Sequence, residues 1–169
     1  SAANVARLAA LGIAATLVPI GYHPVLARIE RAAEDIDVLF YGSLNPRREA
    51  VLDALEARGL QVASVFGVYG AARDALVARA KLVLNVHYYE ARVFEIVRVS
   101  YLLANRRCVV SETGAEPAEE AAWSDGIAFA ATPVFTNILL SNVNDGPRLG
   151  TLTDTTGSEG SLFSRTLTI

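Results

Sequence analysis

Residues 81–112, KLVLNVHYYEARVFEIVRVSYLLANRRCVVSE, constrain this chain more than any other stretch. Leu82, Val83, Leu84, Asn85 and Val86 form a short apolar run rich in branched side chains, the pattern of a buried strand. Cys108, Val109 and Val110 form a second run. Between them Val93, Ile96, Val97, Ser100, Tyr101 and Ala104 recur at the spacing of one helix face. Strand, helix and strand in that order make a βαβ unit, so the two strands are expected parallel, with the helix across one sheet face. His87, Tyr88, Tyr89, Glu90, Arg92 and Glu95 then fall after the first strand or in the first turn of the helix. In an open α/β sheet, ligands bind outside the carboxyl ends of the strands, so the chemistry is expected there.

The flanking sequence repeats the alternation. Residues 36–41, IDVLFY, predict a buried strand that runs into Gly42-Ser43-Leu44. Asn45 supplies an N-cap and Pro46 a first helical residue; Val51, Leu52 and Leu55 form the buried stripe, and Gly59 ends the helix. A strand is expected over 60–66, a helix over 71–80, and a last strand over 127–130 after an acidic segment at 116–122. The sum is an α/β fold: a Rossmann-like, doubly wound parallel sheet of about five strands with flanking helices. Ahead of it, residues 1–11 predict an alanine-rich helix ended by Gly12, and 13–20 a strand closed by Gly21-Tyr22-His23-Pro24. Residues 134–140 could form a further strand, and the Thr/Ser/Gly-rich remainder reads as loose or irregular.

A chain of 169 residues with 52% apolar content suffices for one domain with a proper core. The net charge of −3 argues against a general nucleic-acid binder, whose footprint is a basic patch. Cys108 is the only cysteine, which excludes a disulfide framework and fits a reducing, cytoplasmic setting. No apolar run has the length of a membrane span, and no signal peptide opens the chain. Methionine is absent even from position 1, so the chain is expected to begin inside a longer protein or to be processed.

Three constellations carry possible chemistry. In the turn Gly42-Ser43-Leu44-Asn45-Pro46-Arg47-Arg48, glycine permits close backbone approach, helix N–H groups point outward, and either arginine offers a forked donor to phosphate. An ordinary loop with solvent-facing arginines explains the same residues, and both the three glycines of a dinucleotide fingerprint and the lysine of a P-loop are missing. Glu95, beside Arg92 and Phe94, is either a two-oxygen acceptor for ribose hydroxyls or half of a surface pair with Arg98. Its place between Val93 and Ile96, both expected to face the core, turns it at least partly inward. His87 and Tyr88 can meet a phosphate or stack on a base, or they can cap the strand and cover the sheet edge, the better reading for Tyr89. Neither His87 nor His23 has the partners of a metal motif, and no nucleophile elbow is present.

These residues carry a family resemblance. Asp37-Val38-Leu39-Phe40-Tyr41-Gly42-Ser43 with Arg47-Arg48, then Leu84-Asn85-Val86-His87, then Arg92-Val93-Phe94-Glu95, resemble the nucleotide-sugar-binding half of GT-B glycosyltransferases. The likeness is nearest to bacterial members with a CgeB-like C-terminal domain and spans about residues 4–130. It implies three segments: 1–24 as the end of a first domain and the crossing from it, 25–130 as the donor domain, and 131–169 as an atypical tail. It also implies a nucleoside diphosphate sugar as donor, no cofactor and no metal. Glu95 is then expected on the ribose, Gly42, Ser43 and Arg47 or Arg48 beside the diphosphate, and His87 near the phosphates or sugar, with Tyr88, Arg92 and Phe94 completing the donor site. The acceptor, and the catalytic base that a first domain or partner chain would bring, stay unknown. The helix after Glu95 runs to Asn105-Arg106-Arg107 where the family pattern reaches a glycine sooner. Two rivals share the scaffold: a non-catalytic nucleotide-binding module or subunit, and a receiver- or flavodoxin-like domain, which would want acidic residues where Tyr41-Gly42-Ser43 stand.

Overall fold

The computed structural model describes residues 2–131; the strand expected over 134–140 and nearly all of the 131–169 segment lie outside them. The core is a five-stranded sheet of β1 (Ile36–Tyr41), β2 (Val62–Val65), β3 (Ala80–Asn85), β4 (Cys108–Glu112) and β5 (Ala128–Ala130). Every pairing is parallel, in the order β2-β1-β3-β4-β5. The Rossmann-like expectation is met. Strand order reverses between β1 and β3, and that crevice is where doubly wound sheets place their ligands.

Helices cover both faces because the direction of strand order reverses at β1. On one face α2 (Pro46–Glu56) buries Val51, Leu52 and Leu55 against Val38, Phe40, Leu82 and Leu84. On the other, α3 (Gly70–Arg79) and α4 (Ile96–Ala104) bring Val77, Val99 and Leu102 against Leu39, Val83 and Val109. The short α5 (Pro117–Ala121) leads to Trp123, which packs on that second cluster. Side chains pointing to either face of β1 and β3 are buried, which is why both strands read as unbroken apolar runs.

The amino-terminal segment differs. Helix α1 (Ala2–Ala10) buries no residue, and residues 13–20, expected as a strand, take no regular structure. Ile13, Leu17 and Val18 are exposed there. A strand exists through its ladder, and among the described residues no neighbouring strand pairs with this one.

Candidate functional site at the carboxyl rim

Local sequence builds the first wall of the site. Gly42 follows β1 at φ 155°, a backbone angle that favours glycine, and a Cβ there would stand 3.4 Å from both Arg48 Nη1 and Arg98 Nη2, so two guanidiniums close on the turn. Asn45 caps α2 by accepting the Arg48 N–H at 2.9 Å. The two arginines diverge. Arg48 is buried between the rings of Phe40 and Tyr88, donating from Nη1 to Ser43 O at 2.7 Å and from Nη2 to Val86 O. Its guanidinium fastens the β1 turn to the end of β3. Burial and the nearby Arg98 charge lower its pKa. Arg47 stays half-exposed, donating to His87 O at 2.9 Å and pairing with the buried carboxylate of Glu112.

The second wall is the segment after β3. It leaves the sheet through Asn85, Val86 and His87, all buried, and then turns at Tyr89–Arg92, where the Arg92 N–H reaches Tyr89 O. Arg92 sits at φ 41°, a left-handed conformation that costs a residue with a Cβ about 1 kcal/mol. Its carbonyl is held by the Ala115 N–H at 3.0 Å. Phe94 is buried beside Trp123 and Phe129, a wall rather than a ligand contact. The helix begins only at Ile96, later than expected, and Val93 is 60% exposed instead of facing the core. The turn resets the helical phase, so Glu95 is drawn inward by hydrogen bonding rather than by its place on a helix face.

Glu95 occupies the N-cap position of α4, yet its side chain makes no capping bond. Its Oε2 accepts from Asn85 Nδ2 at 2.9 Å and lies 3.0 Å from His87 Nδ1. Burial opposes ionisation, but the close approach of His87, the Asn85 hydrogen bond and the Arg98 charge hold the carboxyl below the ordinary glutamate range. Of the two readings of Glu95, the surface pair with Arg98 does not form. Arg98 instead donates to Asn85 Oδ1 at 3.2 Å and lies over the Tyr41 ring. Gly42, Arg98, Asn85 and Glu95 thereby form one contiguous chain across the β1/β3 crevice.

Two residues were not anticipated here. Arg98 lies one turn past Glu95, a spacing that signals a shared helix edge but not which way it faces. Glu112 ends β4, where only pairing β4 beside β3 brings it to His87. A cleft of about 330 Å³ lies beside this network, lined by Arg47, Tyr88, Tyr89, Glu90, Arg92 and Glu112. A larger groove of about 600 Å³ runs along α3, but its Arg28 and Asp74 neutralise one another away from the crevice. Among the described residues no cluster of three metal-ligating side chains occurs, and no helix is long and apolar enough to cross a membrane.

No family model matches the chain. In sequence, 81 residues are 36% identical to the uncharacterized protein L138 of Acanthamoeba polyphaga mimivirus, covering 47% of this chain and 9% of that protein. Stretches of 78 residues are 33% identical to the uncharacterized proteins L137 and L140 of the same virus, covering 45% of this chain and 11% and 26% of theirs. The matched part is thus a small share of the relatives' length. These relatives are viral, so the bacterial origin suggested by resemblance finds no support in them. In structure, the chain is similar to AviGT4, a glycosyltransferase involved in avilamycin A biosynthesis, with a TM-score of 0.52, 19% identity, and coverage of 79% of this chain and 50% of that one. The fold is therefore one found in about half of a glycosyltransferase.

Proposed function

We propose that this chain is the donor-binding part of a GT-B glycosyltransferase, one that transfers a sugar from a nucleoside diphosphate sugar to an acceptor. The observation that carries the reading is Glu95. Its Oε2 is fixed by Asn85 and His87, while Oε1 makes no hydrogen bond to the described residues, and the side chain is 27% exposed at the crevice. A fixed, ionised carboxylate with one unengaged oxygen is an acceptor for vicinal hydroxyls such as those of ribose. Across the crevice the Gly42-Ser43 turn and Arg98 offer backbone and cationic partners to a diphosphate, with Arg47 and Tyr88 flanking. In the reaction these groups would offset charge building on the departing diphosphate, a stabilisation that needs neither metal nor cofactor.

The rest of the enzyme belongs to the same proposal. Residues 1–24 would end a first domain and cross from it, residues 25–130 would be the donor unit, and the general base and acceptor would come from the other domain or a partner chain. A cytoplasmic location is part of the same proposal. Large exposed apolar side chains on the described residues support a covering body, since each lies either within residues 11–25 or after the carboxyl end of a strand, as Leu44, Phe66, Tyr69, Tyr89 and Val97 do.

Calorimetric titration of the chain with a panel of nucleoside diphosphates tests the reading. Binding should favour one base, and Glu95→Ala should weaken it about tenfold or more, the loss of a charge-assisted hydrogen bond. Equal heats for every nucleotide, unchanged by the substitution, would overturn it. The rival is a non-catalytic nucleotide-binding module or subunit on the same scaffold. Donor binding without turnover by the longer protein would select that rival.

A further inference from the structure

Asn85 ends β3 and is wholly enclosed, an amide in a strand whose other buried residues, Ala80, Leu82, Val83 and Leu84, are apolar. A buried amide is costly unless its polar atoms are paired, and here they are. Nδ2 has two hydrogens and donates to Glu95 Oε2 at 2.9 Å and to Ser111 Oγ at 3.0 Å. Oδ1 accepts from Arg98 Nη1 at 3.2 Å. Each partner independently sets which way the amide points. Arg98 can only donate, so the atom facing it is the oxygen. The ionised Glu95 carboxylate can only accept, so the atom facing it is the nitrogen. Ser111 pairs with Asn85 in register across β3 and β4; it gives its own hydrogen to Glu112 O at 3.1 Å and is left to accept.

We infer that Asn85 is a positioning residue that sets the Glu95 carboxylate and the Arg98 guanidinium relative to one another across the crevice, so that the hydroxyl-bearing and phosphate-bearing parts of a ligand are selected together. Glu95 stands at the start of α4 and Arg98 in its first turn. On one helix edge such opposite charges attract each other, and a direct pair would draw both away from a ligand. The amide stands between them instead, with its nitrogen on the carboxylate and its oxygen on the guanidinium. Arg98 is thereby laid over the Tyr41 ring with Nη2 toward the Gly42 turn. The polar line continues inward through Ser111 to the Glu112 backbone, so the amide is anchored by the β3/β4 pairing itself. A buried network with its groups satisfied is rigid. Asn85 is 0% exposed and meets no ligand; it acts only through the two side chains it holds.

The effect on ligands rests on the donor-site reading, whereas the arrangement of the amide does not, and two measurements separate them. The first is hydrogen exchange of the Asn85 side-chain amide, followed by NMR in the ligand-free full chain. Both amide hydrogens should be protected, and Glu95→Ala and Ser111→Ala should each hasten exchange about tenfold. A freely exchanging amide, or one indifferent to both substitutions, overturns the inference. The second is calorimetric titration with the nucleoside diphosphate that binds best, its 2′-deoxy analogue and the corresponding monophosphate. Glu95→Ala should lower only the preference for ribose over deoxyribose, and Arg98→Ala only the preference for diphosphate over monophosphate. Asn85→Ala should lower both preferences, each about tenfold, though the residue touches neither group. Should Asn85→Ala not fold, Ser111→Ala, which removes only the anchor of the amide, should lower both in the same direction. Leu84→Ala, the equally buried neighbour in β3, controls for lost packing: it should lower stability and leave both preferences unchanged. Either preference kept in the folded variant, a uniform loss across the three ligands, or the same pattern from Leu84→Ala overturns the positioning role. If the unsubstituted chain binds none of the three, the donor-site reading fails and amide exchange alone decides whether Asn85 holds its partners.

Discussion

At the residue scale the rim is crowded with polar groups that serve one another first. Arg48 resembles a phosphate ligand in sequence, but its two terminal nitrogens donate to backbone carbonyls and its guanidinium lies between two aromatic faces. Arg98 resembles a surface charge, yet it stands at the crevice. Gly114 shows how close the packing is. A Cβ there would lie 2.7 Å from the backbone carbonyl of Arg92 and 2.6 Å from Glu120 Oε1. The carbonyl belongs to the turn that delivers Glu95 and cannot rotate away. Gly114→Ala should therefore destabilise by about 1–3 kcal/mol, seen as a lower denaturant midpoint. An unchanged midpoint would mean that the Tyr89–Arg92 turn adapts freely.

At the element scale α4 has work at both ends. Its start carries Glu95 and Arg98, and its far end carries the Asn105-Arg106-Arg107 turn, with Arg106 at φ 54°. Asn105 is buried, and its side chain accepts from the Arg28 and Ile29 N–H groups at 2.8 Å each while donating to Leu26 O and Tyr101 O. Arg107 adds bonds to Ile29 O and Glu30 O. The Asn105-Arg106-Arg107 turn thus fastens residues 26–30, the route by which the amino-terminal segment enters the fold. Asn105→Ala should cost about 2 kcal/mol or more by stranding these backbone groups. Limited proteolysis should then cut first within residues 24–35, and an unaltered cleavage pattern would refute the clamp. The helix itself was legible from its apolar period. Its starting residue was not, because the left-handed Arg92 and the late start at Ile96 depend on contacts with residues 114 and 115.

At the scale of the whole molecule, the sheet and the amino-terminal segment are energetically separate. The two core clusters contain no residue before Ile29, and α1 buries none. Removing residues 1–22 should leave unfolding stability within about 0.5 kcal/mol of the intact chain, measured by denaturant titration. A larger loss would show that this segment belongs to the sheet's own fold. The strand expected over 13–20 failed for the same reason. Apolar composition describes a strand's side chains, but its backbone needs a ladder partner. Sequence alone determined the alternation of buried strands and one-faced helices, since period and burial are local consequences of composition. It likewise determined that Gly42 and Glu95 follow strand ends. Tertiary structure alone decided which strands adjoin, and hence that Glu112 meets His87, that Arg98 spans to Gly42, and that Arg48 is spent on the scaffold. Those outcomes depend on distances between segments far apart in the chain, which no local pattern encodes.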